Sequence, residues 1–177
     1  MKKYEFTGEV KRWLGRTLHR IRAVIAFGDV FEGELGGWIE KEGNLSHDGN
    51  AWVYGNAWVY GNAQVYGNAW VSGDARVSGD ALVSGDARVY GDAQVYGDAH
   101  WLCIGPVGSR NSFTTFFRAK DAKIFVACGC FLGDIDAFAA KVQATHGESC
   151  HAKCYMAAIE LAKLRIDLSG EVDDGQV

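Results

Sequence analysis

The chain has 177 residues and a formal charge of −4, from 18 basic and 22 acidic side chains. That length allows one domain or two small ones with a real core. The acidic balance argues against a general nucleic-acid binder, whose domain would be basic. Basic residues are concentrated before residue 23 and acidic ones at the end of the chain, which is typical of solvated strand faces and tails.

The first residues do not resemble a secretory leader. Met1-Lys2-Lys3 leads into Tyr4-Glu5-Phe6 rather than into an apolar segment. The apolar run 23–27 is too short to cross a bilayer, and the five cysteines are read as reduced thiols. The sequence therefore predicts a soluble cytoplasmic protein without a membrane partner.

Residues 1–32 are predicted to form N-terminal strands. Tyr4–Val10 and Thr17–Phe27 each read as a strand, and Gly28-Asp29 supplies turn chemistry after the second. One imperfect coil of the repeat described next is expected to follow, with three inward residues: Leu35, Ile39 and Leu45.

A six-residue repeat occupies the centre of the chain. From residue 49 it reads Gly, Asn or Asp, Ala, any residue, Val, any residue, and glycine returns at 49, 55, 61, 67, 73, 79, 85, 91 and 97. In an extended segment alternate side chains share one face, so Ala and Val point inward and the variable residues outward. Gly followed by Asn or Asp bends the chain. Three hexads therefore make one triangular coil of about eighteen residues.

This repeat resembles the hexapeptide-repeat family of left-handed parallel β-helices, which carries an aliphatic residue every six positions. Val53 followed by Ala57 fits the family pattern, and the resemblance covers roughly residues 33–102. It implies a mainly β fold, with a short left-handed parallel β-helix between the N-terminal strands and a small C-terminal α+β cap. The handedness is implied by the resemblance alone, because Gly stands two places after Val here.

Outward residues eighteen positions apart stack into columns on three faces. The first face carries Trp52, Tyr54, Trp70, Ser72, Arg88 and Tyr90, the second Trp58, Tyr60, Arg76, Ser78, Gln94 and Tyr96, and the third Gln64, Tyr66, Leu82, Ser84, His100 and Leu102. A whole aromatic face is typical of a contact surface, so the predicted subunit interface is Trp52, Tyr54, Trp70 and Tyr90. Short helices of the resembled family commonly trimerise, which implies a homotrimer.

Residues 103–168 are predicted to form the α+β cap, and 169–177 a disordered tail. Gly105-Pro106 takes the chain out of the coil. Thr114–Ala119 and Lys123–Phe131 read as two strands. Two helices follow, with Asp134 and Ser149 as N-caps and Gly147 ending the first.

The flanks are similar to a phage- and prophage-encoded group of hexapeptide-repeat proteins. Three stretches carry the similarity: Arg20-Ile21-Arg22-Ala23, Gly36-Gly37-Trp38 and residues 104–110. The similarity extends over nearly the whole chain. It implies an architecture and a viral setting, and hence the host-cell cytoplasm, more than a chemistry.

The segment Gly108-Ser109-Arg110-Asn111 is the candidate ligand site. Its backbone N–H groups, hydroxyl, amide and guanidinium can hold a phosphate or a carboxylate, and neighbouring aromatic rings can stack on a base. The predicted ligand-binding residues are Ser109, Arg110, Asn111, Phe113, Thr114, Arg20 and Arg22. The alternative of an ordinary connection, with Arg110 paired to a carboxylate, stays open because no phosphate-loop motif is complete.

Metal and catalytic motifs are weak. Cys128-Gly129-Cys130 and Cys150-His151-x-x-Cys154 do not have the spacing of a standard zinc site, so we predict no metal or other cofactor and buried free thiols. Hexapeptide acyltransferases use a general-base histidine near a protruding loop. Here the coil has only His47, in an inward place of the imperfect coil, and His100, which points outward, and no loop interrupts the regular hexads. We therefore predict no enzyme activity. Neither final helix has a basic face, which argues against duplex DNA.

Three classes of function remain. The first is a non-enzymatic oligomeric phage protein that binds and sequesters an anionic small molecule, such as a host immune signalling nucleotide, between caps and basic N-terminal strands. The second is a structural or protein-docking scaffold, and the third is a hexapeptide-type acyltransferase. We favour the first.

Overall fold

The chain begins with a β-hairpin. The computed structural model describes residues 1–169, and its first strands, β1 (Tyr4–Trp13) and β2 (Arg16–Ala23), pair antiparallel. Both predicted strands are confirmed, although the first extends past its expected end and the second stops short of it. The hairpin turns at Leu14-Gly15, where φ is 47° and 76°. Such a turn matches the twist of the strands but favours Asn or Gly, not Leu, at its first position.

After the hairpin the chain winds into a triangular solenoid. Strand β3 (Leu35–Ile39) opens it, and two-residue strands follow: β4 (Trp52–Val53), β5 (Trp58–Val59), β6 (Gln64–Val65), β7 (Trp70–Val71), β8 (Arg76–Val77), β9 (Leu82–Val83), β10 (Arg88–Val89) and β11 (Gln94–Val95). Strands eighteen residues apart pair in parallel, as Trp52 with Trp70. Three faces form as predicted: β4, β7 and β10 make the first, β3, β5, β8 and β11 the second, and β6 and β9 the third. The third face ends one coil early, because His100 and Leu102 lie beyond the last coil strand. Strand β2 pairs with β3 and so extends the second face.

The small residues of the hexad fill the interior. Every Ala and Val of the frame between Ala51 and Val95 is fully buried. In the imperfect coil the inward positions are confirmed at Ile39 and Leu45, but Leu35 is exposed. The register between β2 and β3 shifts next to Leu35, and this irregularity takes its side chain out of the frame.

The first coil has no regular coil before it, and side-chain donors meet the carbonyl oxygens that it leaves unpaired. On the first face the ammonium of Lys3 donates to the carbonyl of Ala51 at 2.8 Å. On the third face the side-chain amide of Asn44 donates to the carbonyl of Ala63 at 2.8 Å. On the second face β2 supplies the missing partner strand. Side-chain donors therefore close two faces of this end, and a strand closes the third.

The last coil has no coil after it, and acceptor side chains meet two of the N–H groups that it leaves unpaired. The N–H of Arg88 donates to the hydroxyl of Thr115 at 3.0 Å, and that of Leu82 donates to the carboxylate of Asp98 at 2.9 Å. Thr115 belongs to the cap, so the cap closes the second end of the solenoid directly.

The cap combines an antiparallel sheet with two helices, as predicted. Its strands are β12 (Trp101–Val107), β13 (Ser112–Ala119), β14 (Lys123–Cys128) and β15 (Phe131–Asp134), and its helices are α1 (Ile135–His146) and α2 (Cys150–Arg165). The N-caps are confirmed: Asp134 accepts the N–H of Ala137 at 2.7 Å and Ser149 that of Ala152 at 3.3 Å. A separate apolar core joins the sheet to the helices around Phe138.

Two details of the cap differ from expectation. The single strand predicted over 123–131 is two strands, β14 and β15, because the chain turns at Gly129. Trp101 does not continue the coil but starts β12, where it pairs with Phe117. Of the predicted tail, residues 170–177 lie outside the described part. Neither α1 nor α2, the helices of residues 1–169, has the length and apolar character needed to cross a membrane.

Candidate ligand sites

The predicted ligand residues lie in three separate places. Ser109 and Arg110 line a pocket in the cap. Phe113 lines a groove on the other side of the same hairpin. Arg20 and Arg22 belong to β2, in the N-terminal hairpin.

The cap pocket, as we name the first site, is a cavity of about 170 Å³. It lies between the β12–β13 turn, the β14–β15 turn and the two helices. Arg110 and Lys141 bring positive charges to its lining, His146 adds an imidazole, and none of its lining residues is acidic. Such a lining favours an anion. Lys141 and His146 come from α1 and were missed by the sequence reasoning, which considered only the loop.

Tyr155 contributes its hydroxyl to this pocket from α2. The hydroxyl of Thr114 donates to the sulfur of Cys128 at 3.2 Å, and that thiol donates to the Tyr155 oxygen at 3.8 Å. Burial raises the pKa of Tyr155 to about 12, and the neighbouring Cys128 adds to the rise. The phenol therefore stays protonated at neutral pH, and its own hydrogen can be donated to a ligand. A side chain at Gly108 would overlap this hydroxyl.

The remaining loop residues have structural contacts. Thr114 is fully buried and is occupied by the bond to Cys128. Asn111 adopts a φ of 49° in the β12–β13 turn, and its N–H donates to the carbonyl of Gly108 at 3.2 Å. Thr114 and Asn111 therefore stabilise the conformation of the loop.

Phe113 lines a second site, the cap–coil groove, with a volume of about 470 Å³. Arg88 and Tyr90 line it from the solenoid, and the guanidinium of Arg88 donates to the Tyr90 hydroxyl at 3.1 Å. Ser112 and Gly129 line both this groove and the cap pocket. A ligand that crosses this shared ridge would contact both sites.

The two hairpin arginines are engaged within the hairpin. Arg22 forms an ion pair with Glu5, and Arg20 lies 3.7 Å from Glu9 with its guanidinium over the ring of Trp38. Neither of them lines the cap pocket of the same chain. Their predicted role in a ligand site would therefore need a second copy.

The predicted subunit interface requires one correction. Trp52 is fully buried, because the N-terminal segment covers it and places the rings of Tyr4 and Phe27 at centroid distances of 6.3 and 5.4 Å. It has no surface to offer a partner. Tyr54 is 43% exposed, Trp70 is partly buried beneath Arg88, and Tyr90 lies in the cap–coil groove.

The exposure of three cysteines contradicts the prediction of buried thiols, and His47 has a structural contact. Cys130, Cys150 and Cys154 are exposed rather than buried. Within residues 1–169 no group of three or more His, Cys, Asp or Glu side chains is placed to hold a metal ion. His47 stacks on Tyr4 at 4.3 Å, which gives it a contact in the closed N-terminal end.

A further groove of about 800 Å³ lies where the sequence indicated no site. We name it the hairpin-tip groove, since Trp13, Leu14 and Arg16 form one side of it. Its other side is the column Tyr60, Ser78 and Tyr96 on the second face, with Glu40, Lys41, Asn62 and Asp80 around it. The available signal was the serine that interrupts two tyrosines at eighteen-residue spacing.

The solenoid, closed at both ends, defines a β-solenoid repeat protein. A family model described as the YdcK beta solenoid repeat matches residues 63–79, 69–85, 75–91 and 83–97. These stretches lie within the regular coils and span less than half of the chain, so the similarity concerns the repeat and not the hairpin or the cap. No curated protein matches the chain.

Proposed function

We propose that this is a non-enzymatic binding protein whose cap pocket retains an anionic small molecule. The observation that carries the proposal is the lining of the pocket, which includes Arg110, Lys141 and His146 but no carboxylate. None of the ion pairs within residues 1–169 involves Arg110 or Lys141. An anion would supply the partner that these charges lack.

The proposed contacts use the donors that the pocket offers. The Arg110 guanidinium would bind a phosphate or carboxylate through two parallel hydrogen bonds. Lys141 would act as a second charge, and the protonated Tyr155 hydroxyl would donate a third hydrogen bond. Phe131 and Phe138 line the same pocket, and their rings would exclude water and strengthen these interactions.

The volume of the pocket limits the ligand. At about 170 Å³ it is smaller than the roughly 300–1,000 Å³ that encloses a drug-sized molecule, so it suits an anionic group rather than a whole nucleotide. A nucleotide would place its phosphate beside Arg110 and its base across Ser112 and Gly129, against Phe113. In a viral setting we propose a host immune signalling nucleotide, bound and sequestered without turnover.

The test is calorimetry of the full chain with inorganic phosphate and with a panel of signalling nucleotides. A charge-assisted hydrogen bond contributes roughly 1.5–3 kcal/mol, so Arg110→Ala should weaken binding by about 10- to 150-fold. Arg22→Ala is the matched control, since Arg22 is paired within the hairpin. If Phe113→Ala leaves phosphate binding unchanged but weakens nucleotide binding, the base of the nucleotide lies against Phe113.

Several outcomes would contradict the proposal. They are the absence of binding to every anion, equal affinity of the Arg110→Ala variant, and turnover of an acyl-coenzyme A or of the nucleotide itself. Equal weakening by Arg22→Ala would instead place the hairpin of a second copy at the site.

We further propose assembly into a homotrimer through the first face. Supporting it are Tyr54, which is 43% exposed, and its neighbour Trp70. The double variant Tyr54→Glu, Trp70→Glu should dissociate the assembly in light scattering, and a wild-type monomer at micromolar concentration would refute the trimer. The same exposed side chains favour the docking-scaffold alternative, which would gain if a captured host protein were lost from this double variant.

A further inference from the structure

The tip of the N-terminal hairpin displays an apolar side chain at an unfavourable backbone position. Leu14 has a φ of 47° and is 55% exposed, although Asn or Gly would suit the first position of this turn better. A strained residue that is kept at an exposed site points to a use for its side chain. Leu14 lines the hairpin-tip groove.

The opposite side of this groove is an aromatic column with a notch. Tyr60 and Tyr96 lie two coils apart, roughly 10 Å at about 4.8 Å per strand, and Ser78 occupies the coil between them. The first face has an equivalent column of Tyr54, Ser72 and Tyr90, but there no hairpin tip stands opposite. Only on the second face, within residues 1–169, does the column face the wall made by Trp13 and Arg16.

Trp13 divides this groove from a smaller one of about 330 Å³. Arg76 lines the smaller groove and places its guanidinium 5.0 Å from the centre of the Trp13 ring. Trp13 therefore carries the Arg76 cation over its ring and also lines the hairpin-tip groove.

The polar groups of the hairpin-tip groove are balanced in charge. Arg16 and Glu40 form an ion pair at 3.0 Å, and the Glu40 carboxylate also accepts the N–H of Gly61 at 2.7 Å. The side-chain amide of Asn62 donates to Asp80 at 3.0 Å. The groove thus offers oriented hydrogen-bonding groups without the excess positive charge of the cap pocket.

We propose that the hairpin-tip groove binds a short neutral oligosaccharide. A sugar presents apolar C–H faces, which pack on aromatic rings, and hydroxyl groups, which bond to carboxylates, amides and guanidinium groups. Trp13, Tyr60 and Tyr96 provide the rings, and Asn62, Asp80 and Arg16 the polar groups. The Arg16 guanidinium lies 5.7 Å from the centre of the Tyr60 ring, so a sugar would pack on the other face of that ring. The volume of about 800 Å³ lies within the range of sites that enclose a ligand of several rings.

The test is titration of the full chain with neutral trisaccharides of glucose, in α- and β-linked forms, and of N-acetylglucosamine, followed by calorimetry and by nuclear magnetic resonance. At least one of them should bind, and Tyr60→Ala should weaken that binding by roughly tenfold or more. Tyr66→Ala is the matched control, because Tyr66 has the same place in the hexad on the third face and is exposed. It should bind as wild type does.

A second variant keeps the test informative about the hairpin. Leu14→Asn should relieve the turn, leave the melting temperature equal or higher, and still weaken saccharide binding. The proposal is overturned if no neutral trisaccharide binds, if Tyr60→Ala and Tyr66→Ala bind equally, or if phosphate displaces the sugar. The cap pocket shares no lining residue with this groove, so Arg110→Ala should leave saccharide binding unchanged.

Discussion

At the N-terminal end of the solenoid side chains donate to the carbonyl oxygens of Ala51 and Ala63, whereas at the cap end side chains accept from the N–H groups of Arg88 and Leu82. Lys3 and Asn44 donate to the former, and Thr115 and Asp98 accept from the latter. The two ends of one regular repeat therefore need opposite side-chain chemistry. Because the coils pair in parallel, the first coil lacks a preceding coil and the last lacks a following one, and these side chains take the place of the missing partners.

At the N-terminal end the donor is a charged side chain, that of Lys3, which lies in the interior. Lys3 is almost fully buried, and burial lowers its pKa to about 8, so the ammonium remains charged at neutral pH. Its charge lies 4.8 Å from the centre of the Phe27 ring, and its hydrogens bond the carbonyls of Ala51 and Gly49. A buried lysine is tolerated here because it meets backbone acceptors.

Reversing the chemistry of one end should have the largest effect. Asn44→Asp replaces a buried donor by a carboxylate facing carbonyl oxygens, and an uncompensated buried charge costs about 3–5 kcal/mol. Asn62→Asp is the control, because it makes the same change at an exposed corner, where solvent screens the new carboxylate from Asp80 and keeps the loss of this hydrogen bond small. Urea unfolding should show a large loss of stability for the first variant and a small one for the second. Equal losses would refute the contrast.

Removing a single acceptor at the cap end should have an intermediate effect. Thr115→Val leaves the partly buried N–H of Arg88 without its partner, which costs about 1 kcal/mol or more. Thr114→Val is the control on the same strand, because its hydroxyl bonds only a weakly accepting sulfur. Thermal unfolding of both variants measures the difference, and a larger loss for Thr114→Val would contradict our account of this end.

Mild acid should have the smallest effect and should act on both ends. The Nδ1 of His47 accepts the N–H of Lys3 at 3.3 Å, and that of His100 accepts the N–H of Tyr96 at 3.0 Å. Burial lowers the pKa of both histidines below the usual 6.5. Below pH 6.5 the unfolded chain therefore binds more protons than the folded one, so the free energy of unfolding falls as the pH falls.

The free energy of unfolding is measured with denaturant between pH 7 and pH 5, the range in which histidine side chains ordinarily titrate. His47→Gln and His100→Gln should each flatten part of the pH dependence, and the double variant should flatten most of it. A double variant with the same slope as wild type would assign the acid sensitivity to other groups.

The regular parts of the fold follow from local patterns in the sequence. The hexad alone predicts the coil length, the three faces and the buried Ala and Val, because alternation and turn chemistry act over a few residues. The helix caps at Asp134 and Ser149 are equally local. The left-handed sense of the coil stays a prediction of the family resemblance.

The sites depend on contacts between distant segments, which the sequence pattern does not contain. Trp52 occupies an outward place in its hexad and is buried only because Tyr4 and Phe27 fold over it. The cap pocket includes Lys141 and Tyr155, which belong to helices that follow the loop in the chain, so the loop sequence alone does not predict them. The hairpin-tip groove forms because the turn at residue 14 lies near Ser78 in space. The two are far apart in the chain, and no local pattern predicts their proximity.

The side chains that close the two ends also affect self-association at high protein concentration. The unpaired edge of the first coil of one molecule is complementary to the unpaired edge of the last coil of another, and such head-to-tail addition does not close on itself. Bare solenoids would therefore polymerise into filaments. The buried Lys3 and Asn44 at one end and the cap at the other remove both growing edges, so the side chains that complete the fold also limit the length of the particle.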